Sequence, residues 1–356
     1  MKRLSPAVVF LLFFFPALVF SQRRSNQLVI HLASPIPANT AWGEKINQIA
    51  VEWARITNNE VRLVVHPNGS LGTEGAVIQQ LDNGALDAAV LSSFGLNMLT
   101  KKSQNIITKA PSPPSTAIMT LSYPFLIRTE EELDQVMAGL KPDLEALINS
   151  KGYFTLAWAR VGWAKIFSRT PVFVPTDLQA KNQFIGTGEG EDEITTAFER
   201  MGLNMRIVAQ KDILQALTTR TITAVYQSPI AAGGAQIVGV APNMMDLNIA
   251  PFMGGIIFNQ KSWDAIPERY KPELLRATKR IEGELDRAVR DLEADALAQI
   301  SAAMRGRFVI NQLTPAQKQA WYTLVDNTLP ALIGTTFDRN IYNKIEAIVK
   351  PLRNER

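Results

Sequence analysis

The residues best equipped for chemistry are few, and their spacing limits what they can do. Gly186-Thr187-Gly188-Glu189-Gly190 resembles a phosphate-cradling loop. It lacks the sixth-position glycine of a dinucleotide fingerprint and the Lys-Ser/Thr pair of a phosphate loop. Glu191, Asp192 and Glu193 follow it, and their charge would repel a phosphate while complementing the dipole of a helix start. His31 and His66 are the only histidines. His31 lies among apolar neighbours, His66 precedes a turn, and no G-x-S-x-G elbow exists for either to serve. An exported hydrolase stays only as an alternative reading. Glu130-Glu131-Glu132 reads as an ordinary acidic first helical turn. With no cysteine, disulfides, thiolate zinc sites, cysteine nucleophiles and lipid attachment through Cys are excluded. No catalytic residue, cofactor or metal site is predicted.

The elements that must position any site are richer. The chain has 356 residues, 46% hydrophobic and 20% charged, the balance of a folded protein of about two domains. Its net charge of +4 includes Lys2 and Arg3. Without them the chain carries about +2, which gives no case for nucleic acid. Those two residues open a basic, then apolar leader, Ala7 to Phe20, whose uncharged run is too short for a bilayer-spanning helix of about 20 residues. A signal peptide over residues 1–21, cut after Ser21, is the expectation, and with it an exported protein.

Leu28, Ile30 and Leu32 alternate as in a half-buried strand, as do Val61, Leu63 and Val65. Between them Trp42, Ile46, Ile49 and Trp53 fall on one helical face. A helix over 73–83 and a strand over 88–91 complete a βαβ alternation, which predicts a largely parallel sheet. From Leu99 to Leu121 the pattern breaks into an irregular excursion. A second α/β region follows, with strands expected over 154–158, 184–186, 206–208 and 223–226 and a helix over 192–201 that ends at Gly202. Leu274, Thr278, Ile281, Leu285, Ala288, Leu292, Ala296 and Ile300 then recur every three or four residues. A helix over 273–304 would be about 48 Å long, enough to brace two lobes.

In this order the chain carries Ala33-Ser34-Pro35, His66-Pro67-Asn68-Gly69-Ser70-Leu71-Gly72-Thr73-Glu74 and Gln80-Leu81-Asp82-Asn83-Gly84-Ala85-Leu86-Asp87-Ala88. Tyr123-Pro124-Phe125-Leu126-Ile127-Arg128, Pro175-Thr176-Asp177-Leu178, Met201-Gly202-Leu203-Asn204 and Lys261-Ser262-Trp263-Asp264-Ala265-Ile266-Pro267 follow. Over nearly the whole mature chain this resembles the DctP-type solute-binding P subunits of tripartite ATP-independent periplasmic (TRAP) transporters. The resemblance implies an α/β class, a two-lobed periplasmic binding protein fold with a long helix spanning both lobes. Lobe I is expected from 27–155 plus 247–270, lobe II from 156–246 plus 271–356. It also implies a periplasmic receptor that hands its ligand to the small and large membrane permease subunits. A sub-group works with a periplasmic helical-repeat (TPR) partner, for which the 99–121 excursion offers a docking place.

The departures from the family pattern bear on the ligand. The family holds a ligand carboxylate with an arginine shortly after an Asp-Leu-Lys-Gly turn; here the count from Asp177 puts Phe184 in that place. The family's later Gln-Glu-Asn-Pro reads Tyr226-Gln227-Ser228-Pro229. Losing a guanidinium fork removes the match to a carboxylate. A largely apolar or amphipathic ligand is therefore expected, lined by Phe184, Trp158, Trp163, Tyr226, Gln227, Ser228, Glu74, Phe252 and Met253; Arg160, flanked by Trp158 and Trp163, either of which could stack on it, keeps an acid ligand open. The alternative keeps a small organic carboxylate and holds it by Arg160 or Arg169.

Overall fold

The computed structural model describes residues 27–102, 115–188 and 190–354. The leader, most of the excursion and Glu189 lie outside them, so the signal-peptide and docking-place expectations are not addressed by the fold. No helix among the described residues is long and apolar enough to cross a membrane.

The chain opens with β1 (Leu28–Ala33), α1 (Ala41–Ile56), β2 (Val61–His66), α2 (Glu74–Asn83), β3 (Ala88–Ser92) and α3 (Ser93–Thr100). β1 runs between β2 and β3, parallel to both. The period-two residues Ile30, Leu32 and Val61 turn under α1, where Trp53 is fully buried against Phe258 and Trp263. Thr40 and Thr73 begin α1 and α2 by accepting from Gly43 and Ala76 backbone N–H groups.

α4 (Ala117–Thr120) and α5 (Glu130–Ser150) lead to β4 (Tyr153–Ser168), a strand three times longer than the alternation suggested. Next come α6 (Thr176–Gln179), β5 (Ile185–Thr187), α7 (Asp192–Arg200), β6 (Met205–Ile207), α8 (Ile213–Thr218), β7 (Ala224–Gln227), α9 (Pro229–Gly234) and β8 (Asn243–Met245). β9 (Ala250–Asn259) and α10 (Gln260–Asp264) return the chain to the first sheet. The main path of strands reads β2-β1-β3-β9-β4-β7-β5-β6.

Two strands make one molecule of two lobes. β4 and β9 pair antiparallel from Tyr153 and Asn259 to Ala164 and Ala250. At one end β9 pairs with β3; at the other β4 leaves β9 and pairs with β7 and β8. Bulges interrupt the β4–β9 register near Leu156 and Val161, and Gly162 there has φ +117°, a conformation that suits glycine. The expected parallel sheet is thus parallel only outside these two crossing strands.

α11 (Lys271–Met304) has 34 residues, hence about 51 Å. Its first part lies on α1, where Trp53 Nε1 donates to Thr278 Oγ1 at 3.1 Å. Its middle caps the free edge of β4: the backbone N–H groups of Trp158 and Trp163 donate to Glu282 and Glu293. Its end puts Ile300 into the second lobe's core. β10 (Val309–Asn311) pairs with β8, α12 (Pro315–Thr328) reaches Phe173 through Trp321, and α13 (Arg339–Asn354) packs along α5 through Arg353–Glu132 and Lys344–Asp143. Within residues 271–356, α11 thus packs against both lobes, with Leu274 and Ile281 in the first lobe's core and Ile300 in the second's, while α13 lies along α5.

Candidate functional site

Parallel βα units leave their ligand sites at the carboxyl ends of the strands. In the first lobe those ends are Ala33 and Ser92. Glu74 opens α2 and binds Ser92 twice, at the backbone N–H (2.5 Å) and at Oγ (2.7 Å), while Ser92 Oγ accepts from Phe94 N–H to begin α3. Burial pushes the Glu74 carboxyl above its ordinary range, and the Ser92 and Gly95 donors oppose that rise. A cavity of about 110 Å³ sits beside it, lined by Ala33, Ser34, Leu71, Thr73 and Val77 among others.

In the second lobe the matching ends are Thr187 and Gln227, with the starts of α7 and α9 beside them. The lobes meet where α3 reaches α7. Asn97 Nδ2 donates to Glu193 Oε1 at 3.2 Å, and Lys101 forms an ion pair with the same carboxylate. Four aromatic rings cross this seam in sequence. Phe94 of α3 meets Phe252 of β9 (6.3 Å between centroids), Phe252 meets Tyr226 of β7 (5.3 Å), and Tyr226 meets Phe198 of α7 (5.4 Å). All three contacts are close to edge-to-face, the favoured arrangement for such rings.

Polar atoms are held inside this apolar frame. The buried atoms Asn97 Oδ1, Glu191 Oε2, Glu193 Oε2 and Tyr226 OH have no hydrogen-bond partner among the described residues. Burial pushes the Glu191 carboxyl up to about 7, opposed by the Gly188 backbone N–H. Burial and the nearby Glu191 charge push the Tyr226 phenol up as well.

Of the residues singled out from the sequence, Tyr226 and Phe252 stand in this seam, and Glu74 stands at the carboxyl end of the first lobe's sheet. Met253 is buried behind Phe252, its backbone bonded to Ser93 Oγ. Ser228 caps α9 by accepting from Ala231 N–H at 3.3 Å, and Gln227 Oε1 accepts from Ser228 N–H. Trp158, Arg160 and Trp163 point to other partners. The Trp158 indole donates to Glu145, the Trp163 indole to Glu130, and the Arg160 guanidinium pairs with Glu130, Asp134 and Asp286. Carboxylates, not stacked indoles, surround Arg160. Arg169 donates to the Leu217 carbonyl at 2.8 Å.

Phe184 is the largest departure from expectation. It precedes β5 at the amino end of that strand, opposite the seam, with its ring under the Arg206 guanidinium at 3.9 Å. Its carbonyl and N–H bind Thr223. The site elements missed from sequence are Glu191, Glu193, Asn97, Phe94 and Phe198. The acidic run after Gly190 was their one visible signal. Gly186 serves packing, since a Cβ there would come 2.6 Å from Ile222 Cδ1. His31 and His66 face each other on β1 and β2, Nδ1 to Nε2 at 3.0 Å. Among the described residues no group of three His, Cys, Asp or Glu is placed to hold a metal ion.

Residues 32–333 match the family described as Bacterial extracellular solute-binding protein, family 7. The C4-dicarboxylate-binding periplasmic protein DctP of Vibrio cholerae is 20% identical over 267 residues, 74% of each chain. The 2,3-diketo-L-gulonate-binding periplasmic protein YiaO of Escherichia coli is 29% identical over 170 residues, 47% of this chain and 46% of its own. A TRAP periplasmic solute-binding protein from Sulfurospirillum deleyianum, solved with bound succinate, superposes with TM-score 0.77 at 21% identity, covering 90% of this chain and 99% of its own.

Proposed function

The chain belongs to bacterial extracellular solute-binding protein family 7, and from that premise we propose that it is the periplasmic receptor of a TRAP-type transporter. It captures a largely apolar or amphipathic ligand between its lobes and delivers it to the small and large permease subunits. In this reading the leader is cut after Ser21 and, with no cysteine to acylate, the mature protein moves freely in the periplasm. A periplasmic TPR protein is a further partner if the chain belongs to the TPR-associated sub-group. It acts as a receptor and not as an enzyme.

The observation that carries the ligand class is the run of rings Phe94, Phe252, Tyr226 and Phe198, which joins the lobes through the crossing strand β9. A ligand that touches both ends of such a run favours the closed form by its differential contacts. A second reading, a small organic carboxylate, has the ligands named for the relatives in its favour. It needs a free cation. Arg160 already faces three carboxylates and Arg169 holds a backbone carbonyl. The lysine at the seam, Lys101, is paired with Glu193.

Native mass spectrometry of protein gently purified from the periplasm tests this. An amphipathic or apolar molecule is expected to travel with it. A co-purifying dicarboxylate, lost in Arg160→Ala or Arg169→Ala, would establish the second reading. If no molecule co-purifies and no class of small molecule raises the melting temperature, the receptor reading fails.

A further inference from the structure

Seven buried side-chain polar atoms among the described residues lack a partner, and four of them lie at the α3–α7–β7 seam. Asn97 Oδ1 only accepts hydrogen bonds, as do Glu191 Oε2 and Glu193 Oε2 when ionised, while Tyr226 OH can do either. They come from both lobes: Asn97 is 1% exposed and Tyr226 4%, the Glu193 side chain 4%, and Glu191 is half-buried with its Oε2 covered. Buried acceptors left without donors are costly, and folded proteins rarely keep them without a functional reason. What these atoms want is therefore a donor.

The charge of the seam narrows the donor further. Among the described residues two carboxyls, Glu191 and Glu193, meet one cation, Lys101, which is spent on Glu193. An incoming anion would find a carboxylate in front of it and, among the described residues, no free positive group to offset its desolvation. An incoming cation would find a carboxylate together with aromatic faces, the pairing that recognises ammonium groups. Rings also offer a carbon skeleton a place to lie.

Resting on the receptor reading above, we propose that the ligand carries an amine or ammonium head. The head sits against Glu191 and Tyr226, and the carbon skeleton lies among Phe94, Phe252 and Phe198. Asn97 and Glu193 accept any further N–H or O–H group the molecule presents as the lobes close. The ligand class is thus an amphipathic organic cation.

The test is calorimetry on the mature chain with one skeleton bearing different heads: benzylamine, benzyltrimethylammonium, benzyl alcohol and benzoate. The two cations are expected to bind about tenfold or more tightly than the alcohol, with benzoate showing no binding. Glu191→Gln, which keeps the shape of the side chain, is expected to cost the cations about tenfold and to leave the alcohol unchanged. Tyr226→Phe should weaken benzylamine, and circular dichroism of each variant checks folding. Benzoate binding above benzylamine, or cation affinity untouched by Glu191→Gln, would overturn the assignment while leaving a receptor in place. If no head binds and native mass spectrometry finds no co-purified molecule, the receptor reading falls with it.

Discussion

Asn97 on α3 and Glu193 on α7 belong to opposite lobes, and the amide of one donates to the carboxylate of the other over 3.2 Å. The lobes are therefore latched by a neutral group on a buried charge, with Lys101 as its counter-ion. A hydrogen bond to a charged acceptor is worth about 1.5–3 kcal/mol. That is one to two decades, roughly, in a two-state opening equilibrium.

Asn97→Ala combined with Lys101→Ala should accordingly open the ligand-free protein. Glu193 would stay buried without partners when closed, but would hydrate when open. Small-angle scattering is expected to show the radius of gyration rising by on the order of 1 Å, as in a hinge opening. Unchanged scattering would mean that β4 and β9 alone hold the lobes together.

The Glu191 carboxyl predicts a pH slope in the ligand-free protein. Its folded value is raised by burial to about 7, against the opposing Gly188 N–H. A raised acid favours the protonated folded form, so its contribution is complete below the unfolded value near 4.3. It is lost as pH climbs through 7, by on the order of 3 kcal/mol. Urea unfolding at pH 5 and pH 8 should show the loss, and Glu191→Gln should flatten it. A wild-type slope that persists in Glu191→Gln would place the titrating group elsewhere.

Arg160 is expected to matter for the frame and not for the ligand. Its side chain is 9% exposed, while Glu130, Asp134 and Asp286 around it are 36%, 43% and 40% exposed. Removing a buried ion-pair partner costs about 3–5 kcal/mol. These carboxylates can rehydrate, so Arg160→Ala should cost about 2–3 kcal/mol. Chemical denaturation measures that loss. Calorimetry at a temperature where the variant is folded should find ligand affinity within about twofold of wild type.

Much of the frame was legible because its signals are local. The alternation in β1 and β2, the one-sided tryptophans of α1 and the stripe of α11 each follow from burying one face of one element. β9 was not legible. Pro251 and the pair Gly254-Gly255 are poor strand formers, yet a Cβ on Gly254 would come 2.8 Å from the Leu91 carbonyl. The glycine is required by the closeness of β3, which local sequence does not reveal. The seam was hidden for the same reason. Glu191 and Glu193 read as helix-dipole partners, and their burial depends on α3 and β7, distant in the chain. The place assigned to Phe184 came from counting along a loop from Asp177. The structure starts β5 only at Ile185, so the counted position falls at the strand's amino end instead of its ligand end.

Phe184 gives the last prediction, and it separates counting from geometry. The ring is half-buried beneath Arg206 and packs on the second lobe's core. Full truncation of a buried phenylalanine costs about 3–5 kcal/mol; a half-buried one should cost about 1–2 kcal/mol by its smaller buried area. Phe184→Ala is therefore expected to lower the melting temperature and leave ligand affinity unchanged. Phe184→Arg should lower it further, because it sets a second guanidinium beside Arg206, and should gain no affinity for benzoate. A tenfold change in ligand affinity, in a variant whose circular dichroism matches wild type, would return Phe184 to the cleft and remove the seam as the site.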